Sequence, residues 1–96
     1  MTVRELVHSK RDEVLRLAAL HKARRVCLFG SAVRGEEGPD SDVDFLVEFQ
    51  PEASLLDHVR LMQDLERLLG RKVDVVSDRA LHWFIRDRVR AEASPL

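Results

Sequence analysis

Two aspartates, Asp42 and Asp44, stand at alternate positions in DVDFLVEF, a run otherwise rich in valine and phenylalanine. Side chains of a strand alternate between faces, so residues i and i+2 share one. Like charges held side by side repel, and the usual remedy is a cation. Mg²⁺ suits the task, because it binds one or two carboxylates and completes its shell with water and substrate phosphates. Upstream, Gly30-Ser31 ends the apolar run VCLF. A glycine at a strand end lets another backbone approach closely. A helix opening at Ser31 would point free N–H groups outward, where phosphate is favoured. Asp74 lies in KVDVV between valines, where an unpaired aspartate is expensive to bury. If its strand lies beside that of Asp44, it reaches the same place. Three carboxylates could then hold two metal ions, one at the attacking hydroxyl and one at the triphosphate. A phosphate seat beside metal-binding carboxylates points to phosphoryl or nucleotidyl transfer.

Taken singly, each feature has a plainer reading. Asp40, Ser41 and Asp42 also suit a turn, with Asp44 solvated on an edge strand. Arg34 is either a phosphate contact or a salt-bridge partner of Glu36 or Glu37. Cys27, the sole cysteine, reads as a small buried thiol and excludes a disulfide framework.

The elements that must position these residues follow from periodicity. Thr2-x-x-Glu5 is a capping box, and apolar residues recur at helical spacing, predicting a first helix from about Val3 to His21. VCLF is a short buried strand. A brief helical segment opens at Ser31 and is stopped by Gly35 and the EEGPDS stretch. VDFLVEF is a second strand, ended by Pro51. Residues 52–69 form a helix whose stripe is Leu55, Val59, Met62, Leu65 and Leu69, with Gly70 as its C-terminal cap. KVDVV is a third strand, and Ser77 or Asp78 caps a last helix carrying Leu81, Phe84, Ile85, Arg88 and Val89. The fold class is α/β (α+β), in the order α-β-α-β-α-β-α, with a small mixed three-stranded sheet backed by helices. Strands one and two pair antiparallel across a short connection, and strands two and three are parallel across a full helix.

Composition narrows the rest. Ninety-six residues, 45% hydrophobic and 34% charged, are globular and make one domain over 1–96. A net charge of −1 gives no bulk field for gripping nucleic acid, which is not expected as the main partner. No apolar run approaches a membrane span, and the N-terminus lacks the pattern of a secretion signal, so the expected address is cytoplasmic. His8, His21, His58 and His82 fall on helices without metal-ligand spacing and read as surface or partly buried residues. The arginines of RDRVR read as a solvated helix face. Trp83, off the last helix's stripe, either anchors an interface or packs within the chain.

Gly30-Ser31, ten intervening residues and Asp42-x-Asp44 resemble the signature of the DNA polymerase beta-type nucleotidyltransferase superfamily. The longer string GSAVRGEEGPDSDVDFLV is similar to its small single-domain members, the minimal nucleotidyltransferases (MNT), and VDVVSDRALHWFIRDRVRAEASPL resembles their third strand and closing helix. That resemblance implies a nucleotidyltransferase fold and particular roles. Gly30 and Ser31 would bind the nucleotide's phosphates, with Arg34 matching the family's arginine. Asp42 and Asp44 would carry Mg²⁺, and Asp74 would complete the metal site and help deprotonate the acceptor. ATP would be the substrate, with AMP moved to a hydroxyl and pyrophosphate released. The implied partner is a HEPN-type helical toxin, modified on a tyrosine, which would make the chain an antitoxin. Two alternatives stay open: a non-enzymatic module that inhibits its partner by docking, and a stand-alone transferase for a small molecule. A homo-oligomer is also compatible with the sequence.

Overall fold

A computed structural model of the chain describes residues 2–30, 42–80 and 93–96. Its elements are α1 (Val3–Ser9), α2 (Arg11–Leu20), β1 (Ala23–Phe29), β2 (Val43–Phe49), α3 (Leu55–Leu69), β3 (Val73–Ser77), a 3₁₀ turn (Asp78–Ala80) and β4 (Ser94–Pro95). The strands form one mixed sheet in the order β3-β2-β1-β4. β1 runs antiparallel to β2, and β3 runs parallel to β2, as the connection lengths require.

Among the described residues the sheet has four strands where the sequence predicts three. The addition is β4, which pairs Ser94 and Pro95 with Leu28 and Cys27. Two residues ending in proline carry no strand periodicity, so only tertiary pairing reveals them.

The single helix expected over Val3 to His21 is two helices. Thr2 caps α1 by accepting from the Glu5 N–H at 3.1 Å. The break falls at Lys10, which closes α1 and opens α2 in a non-helical conformation. Beside it, the Ser9 hydroxyl donates to the Leu6 carbonyl at 2.7 Å, a local bond that competes with the helical ladder. α2 ends at His21, and Lys22, at φ +63°, turns the chain into β1.

α3 begins at Leu55 behind a reciprocal Ser54–Asp57 capping box and ends at Gly70, whose φ of +65° makes it the expected left-handed cap. Its buried stripe is Leu61, Leu65 and Leu69. Leu55, placed in that stripe by its spacing, is 78% exposed. It is the first residue of the helix and precedes the turns that reach the sheet. The expected short helix after Ser31 lies outside the described residues, as do Leu81 to Val89 of the expected last helix, with His82, Trp83 and RDRVR; at its expected start, Ser77 ends β3 and Asp78–Ala80 form the 3₁₀ turn.

One face of the sheet makes the core. Leu28, Val43, Phe45, Val47, Val73 and Val75 pack with Val3, Val7, Val14, Leu61 and Leu65 in one cluster. Strand alternation then sends Asp44, Leu46 and Glu48 of β2, Cys27 of β1 and Asp74 of β3 to the opposite face. No helix among the described residues is long and apolar enough to cross a membrane.

Candidate active site

The chemistry-bearing residues meet at one end of the sheet, where β1 finishes and β2 and β3 begin. Phe29 pairs with Asp44 across the antiparallel ladder, so Gly30 falls just beyond the pair. Asp44 is also the register partner of Asp74 across the parallel ladder. Partners in a ladder share a face, and adjacent strands lie about 4.8 Å apart, so two carboxylates stand side by side there. Asp42 directly precedes β2 and is half-buried, like Asp44.

Gly30 is in the left-handed region, at φ +77°. A Cβ added there would lie 2.5 Å from Asp44 Oδ2 and 3.2 Å from its Cγ. The Asp44 carboxylate therefore rests over the one residue type that leaves it room.

One expectation needs correction. Asp74 is exposed, not buried among valines. β3 is an edge strand, and Val73 and Val75 point into the core while Asp74 points away. Among the described residues no three His, Cys, Asp or Glu side chains converge as a metal site. The carboxylates at this end form a registered pair, Asp44 with Asp74, and Asp42 stands outside the ladder. Ser31 and Arg34 lie outside the described residues. The pair still fits Mg²⁺ by its chemistry, since that ion takes hard oxygen donors and needs only one or two carboxylates from protein.

Further along the same face, a cavity of about 240 Å³ is lined by Arg25, Cys27, Leu46, Glu48 and Asp78. Burial pushes the Cys27 thiol above its ordinary pKa, and the nearby Asp78 and Glu48 push the same way against Arg25. The thiol is held protonated, in line with an inert buried cysteine. Asp78 is buried although its place after a strand reads only as a cap. No linear pattern signals that burial, because it comes from the turn folding back against β2.

Two of the histidines, His21 and His58, have structural roles. His21 is buried and its Nε2 meets Asp64 Oδ2 at 2.6 Å, joining the end of α2 to α3. His58 Nε2 lies 2.8 Å from the Val75 carbonyl, and its ring stacks on Phe49.

Residues 10–94 match the family model described as a nucleotidyltransferase domain. A candidate protein adenylyltransferase of Methanocaldococcus jannaschii, MJ0435, is 38% identical over 87 residues, covering 91% of this chain and 94% of that one. A solved structure described as a candidate minimal nucleotidyltransferase is 49% identical, with a TM-score of 0.90 over the whole of this chain and 97% of the other. The chain is a minimal nucleotidyltransferase.

One further relative and one further solved structure are similar to the chain. The protein adenylyltransferase MntA of Thermococcus cleftensis is 50% identical over 58 residues, 60% of this chain and 59% of that one. A crystal structure of a toxin–antitoxin with AMP-PNP shares the fold, with a TM-score of 0.74 at 23% identity over 88% of this chain and 69% of that chain. As a member of this family, the domain is a nucleotidyltransferase.

Proposed function

We propose that this minimal nucleotidyltransferase moves AMP from ATP to a hydroxyl of a partner protein, a tyrosine of a HEPN-type toxin, and so acts as an antitoxin in the cytoplasm. One observation carries the reading. Asp44 is seated over Gly30 and registered with Asp74 at the end of the sheet where β1 finishes and β2 and β3 begin. A triphosphate cannot settle against two carboxylates without a cation between them, because like charges at contact repel. Relatives named protein adenylyltransferases support AMP as the transferred group.

In this reading Asp42 and Asp44 hold Mg²⁺, with Asp74 beside them. The ion would supply charge neutralisation at the phosphates and a lowered pKa for the acceptor hydroxyl. Gly30, Ser31 and Arg34 seat the β- and γ-phosphates, so the α-phosphorus faces the aspartates. The acceptor oxygen forms a bond to that phosphorus as the bond to the bridging oxygen breaks. Pyrophosphate leaves with the bond's electron pair, and the acceptor's proton passes to Asp74. Asp74's exposure suits this role, since a base on the open face can meet a hydroxyl that another protein brings.

The test follows label from α-labelled ATP in a lysate of the native host with Mg²⁺, comparing the wild type with Asp42→Asn/Asp44→Asn. Label on one protein, present only with the aspartates intact, establishes AMP transfer and identifies the acceptor. Equal labelling, or full neutralisation of the toxin by the double variant, assigns the effect to docking and removes catalysis from the account.

A further inference from the structure

We infer that Gly30 is a positioning residue for Asp44, acting on the carboxylate and not only on phosphate. The inference rests on the reading of Asp44 as the metal-holding carboxylate, and it goes beyond that reading by assigning the glycine a different task. Two facts meet at Gly30. Its backbone sits at φ +77°, and the place where a side chain would begin is 2.5 Å from Asp44 Oδ2. Real Cβ atoms do not approach an oxygen that closely, so any other residue must push the carboxylate aside. The three nearest atoms to that position all belong to Asp44: Oδ2, Cγ at 3.2 Å and Cβ at 3.3 Å. Because the Phe29–Asp44 pairing fixes the two strands, the carboxylate would have to yield by rotating away from Gly30 and out of the place it now holds.

The molecule contains its own control. Gly70 has nearly the same φ, +65°, but a Cβ there meets nothing within 4 Å. Gly70→Ala therefore reports backbone strain alone, and Gly30→Ala reports strain plus displacement of Asp44. Removing the Asp44 carboxylate should cancel only the second part.

The experiment is a double-mutant cycle by urea unfolding, with Gly30→Ala measured in wild-type and Asp44→Ala backgrounds, and Gly70→Ala measured in both. Gly30→Ala should lower the folding equilibrium constant about tenfold more with Asp44 present than with alanine there, a coupling within the range seen for touching residues. Gly70→Ala should show equal losses in the two backgrounds. Gly30→Asn supplies a second variant, because asparagine tolerates positive φ but keeps a Cβ. It should remain as damaging as alanine, and in both variants Mn²⁺ binding to the nucleotide-free protein should weaken about tenfold, a loss that backbone strain alone would not produce. Equal losses of stability in the two Asp44 backgrounds, or recovery by asparagine, would overturn the inference and leave strain as the reason for glycine. The parent reading fails separately: AMP transfer undiminished in Asp44→Ala would remove Asp44 from the chemistry whatever the cycle shows.

Discussion

Replacing Asp74 with asparagine should stabilise the metal-free protein while it impairs transfer. Asp74 and Asp44 are register partners on adjacent parallel strands. Their carboxylates face the same side, and directly opposed like charges are destabilising. Asp74 is exposed, so water screens the pair and the high-dielectric limit applies. Taking about 6 Å for carboxylates on neighbouring strands, the repulsion in that limit is roughly 0.7 kcal/mol. Asparagine has the same shape and removes it. For a domain of this size the gain corresponds to a rise of about 3–5 °C in Tm. Scanning calorimetry in EDTA and low salt reads it directly. Near 1 M NaCl, where the Debye length is about 3 Å, most of the gain should vanish. With saturating Mg²⁺ and a non-hydrolysable ATP analogue its sign should reverse, because the wild type then gains more from the bound ion. A Tm for Asp74→Asn that is unchanged or lower in EDTA would refute the reasoning, since it would mean that the two carboxylates do not confront each other.

Three further outcomes follow from the packing and the charges. Leu61, fully buried on α3 between the helices and the sheet, should cost about 2–5 kcal/mol when cut to alanine, read by urea unfolding. His21→Ala should cost about 1–3 kcal/mol, because it removes a 2.6 Å bond to a carboxylate and leaves Asp64 with Arg67 at 3.3 Å as its remaining partner among the described residues; a double cycle with Asp64→Asn isolates that pair. Asp57's carboxyl is held below its ordinary pKa, chiefly by the hydrogen bond from the Ser54 backbone N–H. A lowered folded-state pKa means stabilisation that is present above the unfolded value of 3.8 and lost as pH falls through the folded one. The stability gap between wild type and Asp57→Ala should thus be constant through neutral pH and narrow on acidification below 3.8.

Local signals were legible and long-range ones were not. Thr2 and Gly70 cap their helices as their residue types require, because a cap is decided within a few residues. The antiparallel and parallel pairings follow from connection length alone. Spacing alone places Leu55 in the stripe of α3 because Leu61 and Leu55 are equally apolar, and only the sheet decides which turn is covered. Asp74 looked buried because its neighbours are valines; at the edge of a sheet, alternation places those neighbours in the core and the aspartate outside it. The His21–Asp64 bond joins residues 43 apart, a separation at which no spacing rule operates.

What the Gly30-to-Asp44 spacing encodes is register, and the core holds that register from the other side of the sheet. Val43, Phe45 and Val47 are fully buried and alternate with Asp44 and Leu46. A one-residue slip of β2 would turn Asp44 into the core and bring Val43 and Phe45 out to the open face. Burying the carboxylate and exposing those side chains would together cost several kcal/mol, a large share of the stability of a domain this small. The position of Asp44 over Gly30 and beside Asp74 is thus fixed by residues that touch neither substrate nor metal. Phe45→Ala should therefore do more than destabilise: by loosening the strand that carries Asp44 it should weaken Mn²⁺ binding in the fraction that remains folded, whereas Leu61→Ala, on a helix, should lower stability and leave that affinity unchanged. Equal effects on Mn²⁺ binding from the two variants would show that the site depends on overall stability and not on the register of β2.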